Sequence, residues 1–297
     1  MNKINSQRKR LLEQLIISLC FAFLFVTPTL ARASDYQSPR TVALGGAGHA
    51  GPLLNDSIFL NPSYVSFLPT YSVSGSVLFF KGTHPTIGDN YHGRNYNVSI
   101  QDGRTETLQA AISYTLREDG FMIHLGVSKA VLQSLGFALS GKFYGTTFGS
   151  PNMGQDITFS TTFLPNAWMQ TALIVDNILE NDQGLPKNIY REITLGTKFN
   201  LEKIVLVYAD PHYTPNLPNS NQRFGYELGM EFIMMSDFMF RVGMFQNSMI
   251  AHQGMYGNGY GAGVGFLGPK ISLDYGLQRV SEPYTDWAHS FGATIYF

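Results

Sequence analysis

Beyond residue 33 the chain has no cysteine; its single one, Cys20, lies in an N-terminal apolar run. That excludes disulfide frameworks, cysteine–metal sites and thiol nucleophiles from the rest of the chain. Charge is scarce as well, at 14% of residues, where ordinary globular domains carry about 25%. The first 33 residues hold five of the 20 basic residues and one of the 21 acids, so the remainder carries 15 against 20, a net charge of −5. A weakly acidic chain without a basic block has no electrostatic footprint for nucleic acid, and no nucleic-acid partner is expected. After Val26 no apolar run approaches the roughly 20 residues that a membrane helix needs. The seven histidines form no metal-ligand spacing. His84, His92, His212 and His252 fall in or beside loops, and His289-Ser290 would project to opposite faces of a strand. The sequence therefore predicts no enzyme activity, no catalytic residues, no metal and no cofactor.

What is present begins with an export signal. Lys3, Arg8, Lys9 and Arg10 precede LIISLCFAFLFV, and Ala31-Arg32-Ala33 offers small residues for cleavage, so residues 1–33 read as a cleaved signal peptide. From Thr70 onward the dominant period is two. In KISLDYGLQ, Ile271, Leu273, Tyr275 and Leu277 alternate with Ser272, Asp274, Gly276 and Gln278; FGYELGMEF, TLQAAISYTLR and SLGFALSGKFY alternate likewise. Turn signals divide residues 70–297 into fourteen strands. Short connections such as Val131–Leu132, Pro165–Asn166, Leu201–Glu202 and Gly268-Pro269 alternate with longer ones such as Gly82–Asn90, Asn177–Lys187 and Asp210–Arg223. An outer-membrane barrel requires that alternation, because all loops of one parity lie on one side. The expected fold is all-β: a 14-stranded antiparallel transmembrane β-barrel in the bacterial outer membrane, contacting outer-membrane lipid. DWAHSFGATIYF ends in Phe297, and a terminal aromatic on an amphipathic last strand resembles the signal that barrel-assembly machinery reads during insertion.

The stretch TVALGGAGHAGPLLNDSIFLNP contains Gly46, Gly48 and Gly51 at the spacing of a dinucleotide-binding loop. The setting excludes that reading: Pro52 follows, no acidic residue stands about twenty positions on, and a β meander replaces the alternating helices of a doubly wound sheet. The longer run RTVALGGAGHAGPLLNDSIFLNPSYVSFL instead resembles the N-terminal signature of the FadL-type long-chain fatty acid transporter superfamily and its short relatives, including the outer-membrane shuttle protein of type IX secretion. The matching positions are Ala43, Gly45, Gly46 and Ala47, then Asn55-Asp56, then Asn61-Pro62 with Ser63 in place of the usual alanine. LDYGLQRVSEPYTDWAHSFGATIYF resembles the closing hairpin of the short relatives. The resemblance implies residues 34–69 as an N-terminal plug in the lumen of a 70–297 barrel, with Gly45, Gly46, Gly48, Gly51, Asn61 and Pro62 as its marked positions.

A lumen of fourteen strands is too wide for wall side chains alone to fill, which gives a plug an independent rationale. A glycine stripe, Gly257, Gly259, Gly261, Gly263 and Gly265, offers one wall without side chains, where a backbone or ligand could lie or where the strand is simply flexible. Parity turns His124, Lys142, Glu192, Lys198, Glu227, Glu231, Arg241 and Asp274 toward the lumen, where Glu227, Glu231 and Arg241 should pair across consecutive strands. The expected function is passive transport of a hydrophobic or amphipathic, fatty-acid-like small molecule; plain porin activity would need an open lumen. The alternative is a non-transporting barrel that docks or shuttles exported proteins.

Overall fold

The computed structural model describes residues 36–84, 88–118, 120–146, 153–180, 189–202, 204–235 and 237–297. The expected leader, residues 1–33, lies outside them. Fourteen antiparallel strands close into one barrel in sequence order, β1 pairing with β14. They are β1 Tyr71–His84, β2 Gly88–Asp102, β3 Gln109–Arg117, β4 Gly120–Leu132, β5 Leu135–Gly145, β6 Gly154–Phe163 and β7 Met169–Asp176. The second half comprises β8 Glu192–Leu201, β9 Val205–Tyr213, β10 Phe224–Met234, β11 Phe238–Ile250, β12 Met255–Leu267, β13 Ile271–Glu282 and β14 Asp286–Tyr296. Closure is in register from Ser72↔Tyr296 to Gly82↔Asp286, so the sheet has no free edge.

The period-two pattern decides which side of the wall each residue takes. Outward positions are apolar and exposed: Leu125, Leu139, Leu195, Leu228, Leu273 and Phe291 are examples. Inward positions are small and polar, including Asn97, Ser99, Ser113, Ser128, Ser140, Ser160, Thr162 and Thr194, all buried. This inversion of the soluble pattern, apolar outside and polar inside, is what a barrel set in lipid needs.

Several strands run further than their turn signals suggest. Expected to end at residue 81, β1 continues to His84, and β2 begins at Gly88. The last turn of β9 is pushed past Asp210-Pro211 to Tyr213. Proline, with no N–H, is tolerated there because the ladder to β8 breaks between Thr197↔Ala209 and Thr194↔His212. Asp210 Oδ1 takes the released Thr197 N–H at 3.2 Å.

The described N-terminal residues are irregular and mostly buried. Helix α1, Pro39–Ala43, starts on a Ser38 side-chain cap with Pro39 in its first turn. Gly45, Gly46 and Gly48 follow at φ +64°, +92° and +128°, a left-handed path that only glycine takes cheaply. Helix α2, Ser57–Leu60, leads to Asn61, whose side chain caps a 3₁₀ turn over Pro62–Phe67.

Candidate functional site

The N-terminal segment meets inward-facing residues at several places. The first contact is backbone on backbone. Gly229, Gly243 and Gly261 are direct cross-strand neighbours on β10, β11 and β12. A Cβ on Gly243 would stand 2.0 Å from the Leu44 carbonyl, and one on Gly261 would stand 2.1 Å from the Val42 oxygen. On β13, Gly276 meets the Pro39 oxygen at 2.1 Å in the same way. Gly261 and Gly263 of the expected stripe thus receive α1, while Gly265 makes room for the Arg241 and Asp274 side chains and Gly257 and Gly259 abut the neighbouring strand. Gly243 and Gly276 escape a search for runs because they are single glycines, aligned only by register.

The second contact is ionic. Arg40 of α1 donates from Nε to Glu231 Oε2 at 3.3 Å and from Nη2 to the Tyr208 hydroxyl at 2.9 Å. Glu231 also accepts from Arg241 Nε, and Arg241 Nη1 reaches Asp274 Oδ1 at 2.6 Å. One buried carboxylate therefore bridges a cation of the segment and a cation of the wall. Asp56, 3.7 Å from Arg40, completes the cluster; burial pushes its carboxyl up to about 6 against the pull of Arg40. Glu227 does not join this network, contrary to the sequence expectation. Glu231 faces Arg241 directly, whereas Glu227 faces Phe245, roughly 14 Å along the strand at about 3.4 Å per residue. Glu227 instead contacts His212 Nδ1 at 3.3 Å.

Asp210 makes the third contact. Its Oδ2 accepts the backbone N–H groups of Gly48 at 2.7 Å and His49 at 2.9 Å, and lies 3.0 Å from His49 Nδ1. Burial opposes the His49 cation, but the Asp210 hydrogen bond and charge outweigh it and hold the imidazole above its ordinary range. Sequence reading assigned Asp210 to a loop; the inward alternation Leu206, Tyr208, Asp210, His212 was the signal available. Beyond His49, Asn61 donates to the His49 carbonyl at 2.9 Å and to Thr162 Oγ1 at 2.7 Å. Ser63 N donates to Ser160 Oγ at 2.9 Å, and Ser128 Oγ donates to Ser63 O at 3.0 Å. Pro62 fixes the backbone between those anchors. Serine in place of alanine at 63 adds a hydroxyl that donates to Asn61 Oδ1 at 2.6 Å.

The other inner-wall candidates lie outside the contacts already given, two of them still against the segment. Lys142 pairs with Asp176, His124 stacks edge-on with Phe59 at 5.3 Å, and Glu192 accepts from Thr214 Oγ1 at 3.4 Å. Gly51 sits against the Lys198 side chain. At the far end of the chain Phe297 is exposed, its N–H donating to Tyr71 O at 2.9 Å.

Two small cavities flank the segment. One, of about 40 Å³, is lined by Asn55, Asp56, Arg241, Ser272, Asp274 and Thr294 on the side of the short turns. The other, of about 80 Å³, includes His49, Glu192, Glu227 and Met249 on the side of the longer connections. Tyr36 and Phe59 line both, their ring centroids 5.0 Å apart. Both amide atoms of Asn55 are buried without a hydrogen-bond partner among the described residues. Among those residues no group of His, Cys, Asp or Glu is arranged to hold a metal ion.

No family model and no curated protein matches the chain by sequence. Solved structures do match by fold. The monoaromatic hydrocarbon channel CymD superposes with a TM-score of 0.63 at 10% identity, over 91% of this chain and 99% of that one. The Ralstonia pickettii toluene transporter TbuX gives 0.62 at 12% identity, over 89% and 99%. A Pseudomonas aeruginosa FadL homologue gives 0.59 at 10% identity, over 91% and 99%. The fold is that of the FadL-type barrels.

Proposed function

We propose that the chain is an outer-membrane channel for passive movement of a small amphipathic molecule, with residues 36–69 acting as a plug seated in its lumen. The observation that carries this reading is the clasp: one short segment is held by Glu231, Asp210, Ser160 and Thr162, yet leaves a cavity on either side of the Tyr36–Phe59 pair. A segment held by side-chain polar contacts can be released without breaking the barrel's own ladder. Of the fold-mates named above, CymD is a monoaromatic hydrocarbon channel and TbuX a toluene transporter, and the apolar outer wall fits a membrane setting. The serine- and threonine-lined inner wall favours a permeant with a polar end over a pure hydrocarbon.

The test uses the purified full chain in planar bilayers and liposomes. The intact protein should pass little current, deletion of residues 36–69 should open a steady conductance, and a medium-chain carboxylate should enter liposomes faster than a sugar of equal size. A deletion variant that stays closed would refute the plug. Equal flux of sugar and carboxylate would refute the amphipathic permeant, and absence of flux with an exported protein co-purifying would move the reading to docking.

A further inference from the structure

Charge on the outer surface of the wall is concentrated. Outward positions at the long-loop end of β13, β14, β1 and β2 carry Arg279, Trp287, Lys81 and His92, joined as one cross-strand row by Arg279↔Trp287, Lys81↔Trp287 and Lys81↔His92. The next outward row places His289, Phe79 and Arg94 side by side. Among the described residues, the outward faces of the other ten strands hold one cation, Lys129, near the short-turn end of β4. Arg279 lies over the Trp287 ring at 4.9 Å and Arg94 over Tyr96 at 5.7 Å. Among the described residues, the acid paired with this patch is Glu118, 4.0 Å from Arg94 with both side chains about half exposed. Among the described residues, neither Lys81 nor Arg279 has an ion-pair partner within 4.0 Å.

An apolar hollow lies further along the same strands, toward their short-turn end. It runs over Gly75, Ala293 and Leu273 between Val264 and Phe291, an open recess of about 670 Å³. Gly75 adds no side chain to its floor, and no atom lies within 4 Å of where a Cβ would stand. Cations and an aromatic belt at headgroup level, above an acyl-sized hollow at hydrocarbon depth, match the two ends of one lipid.

We propose that β13, β14, β1 and β2 form a binding site for a phosphorylated glycolipid of the outer leaflet, its phosphates on Lys81, Arg94 and Arg279 and an acyl chain in the Gly75–Ala293 hollow. The proposal rests on the outer-membrane orientation with the longer connections outside. Lys and Arg meet phosphate with charge-assisted hydrogen bonds, and charge complementarity selects this occupant over a second copy of the chain, whose matching face would bring the same cations together.

The test reconstitutes the full chain in phosphatidylcholine nanodiscs and titrates bis-phosphorylated lipid A, the same lipid dephosphorylated, and phosphatidylglycerol. The phosphorylated form should bind at least 10-fold more tightly than the other two. The triple variant Lys81→Gln, Arg94→Gln, Arg279→Gln should lose roughly 100-fold, at about fivefold per basic residue near an anionic surface. Lys129→Gln should bind as the parent does, and Gly75→Trp should weaken binding by filling the hollow while leaving the cations in place. Equal binding of lipid A with and without phosphates, or of phosphatidylglycerol and lipid A, would overturn the site. So would a folded triple variant that binds as the parent does. Cell fractionation of the parent reports separately on the outer-membrane reading, and liposome flux on the channel.

Discussion

Gly243→Ala tests whether backbone contact seats the N-terminal segment. The added Cβ would stand 2.0 Å from both the carbonyl carbon and oxygen of Leu44, and 2.7 Å from Gly45 N. Ordinary contact begins at 3.4 Å, so the Leu44 carbonyl must retreat by about 1.4 Å. The wall cannot yield instead, because β11 is laddered to β10 and β12 on both sides. Retreat strains the Ala47 N–H to Leu44 O bond, already 3.3 Å, and unseats Leu44 from Ala47, Leu206 and Tyr208. Overpacking costs about 1–3 kcal/mol and a lost hydrogen bond about 1 kcal/mol, so about 3 kcal/mol is expected in all. That corresponds to a roughly 150-fold rise in the population with the segment displaced. The assay is trypsin cleavage after Arg40, which is only 3% exposed when seated. With opening faster than cleavage, the rate follows the open population and should rise by the same factor. Gly75→Ala is the control, since nothing lies within 4 Å of its Cβ position. If the Gly243→Ala barrel is closed by heat-modifiable mobility yet its Arg40 is cut no faster than in the control, backbone seating is refuted.

Arg40→Met keeps the apolar stem but removes the donors to Glu231 and Tyr208; at about 1.5–3 kcal/mol for bonds to a charged group, single-channel openings in planar bilayers should become at least tenfold more frequent. Arg241→Ala should act in the same direction, because it strips Glu231 of its other cation, and unchanged conductance would count against the clasp. His49 has a raised pKa in the folded protein, so its contribution is fully present below the ordinary value of 6.5 and is lost as pH rises through the elevated one. Protection of Arg40 from trypsin should accordingly fall from pH 6 toward alkaline pH, and His49→Gln should flatten that slope. Phe297→Ala removes an exposed terminal ring packed 6.1 Å from Tyr71; the folded, heat-modifiable fraction should drop in cells while the refolded protein keeps its conductance.

Strand number, order and facing were legible because alternation and turn chemistry are local, and each leaves its mark within about ten residues. Placement of the inward charges followed from the same parity. The partners of those charges were less accessible, since a pairing depends on register: Glu231 meets Arg241 and Glu227 does not, a difference of four residues along one strand. Asp210 was obscured by Pro211, a residue that usually ends a strand and here occupies a gap in the ladder. Arg40 gave no local sign of its role, because its partners lie 168 and 191 positions away. The outward basic row was hidden for a similar reason, its members coming from both ends of the chain.

That last arrangement bears on the order of assembly. The first described residues rest on β10 to β13, and β1 finds its second partner only in β14. Contacts of such sequence separation carry a large loop-closure cost and form late. The N-terminal segment can therefore take its seat only after the final hairpins have been added. A nascent barrel lacking its last strands would also lack the surface on which its first described residues rest, so the N-terminal contacts belong to the closing stage of assembly.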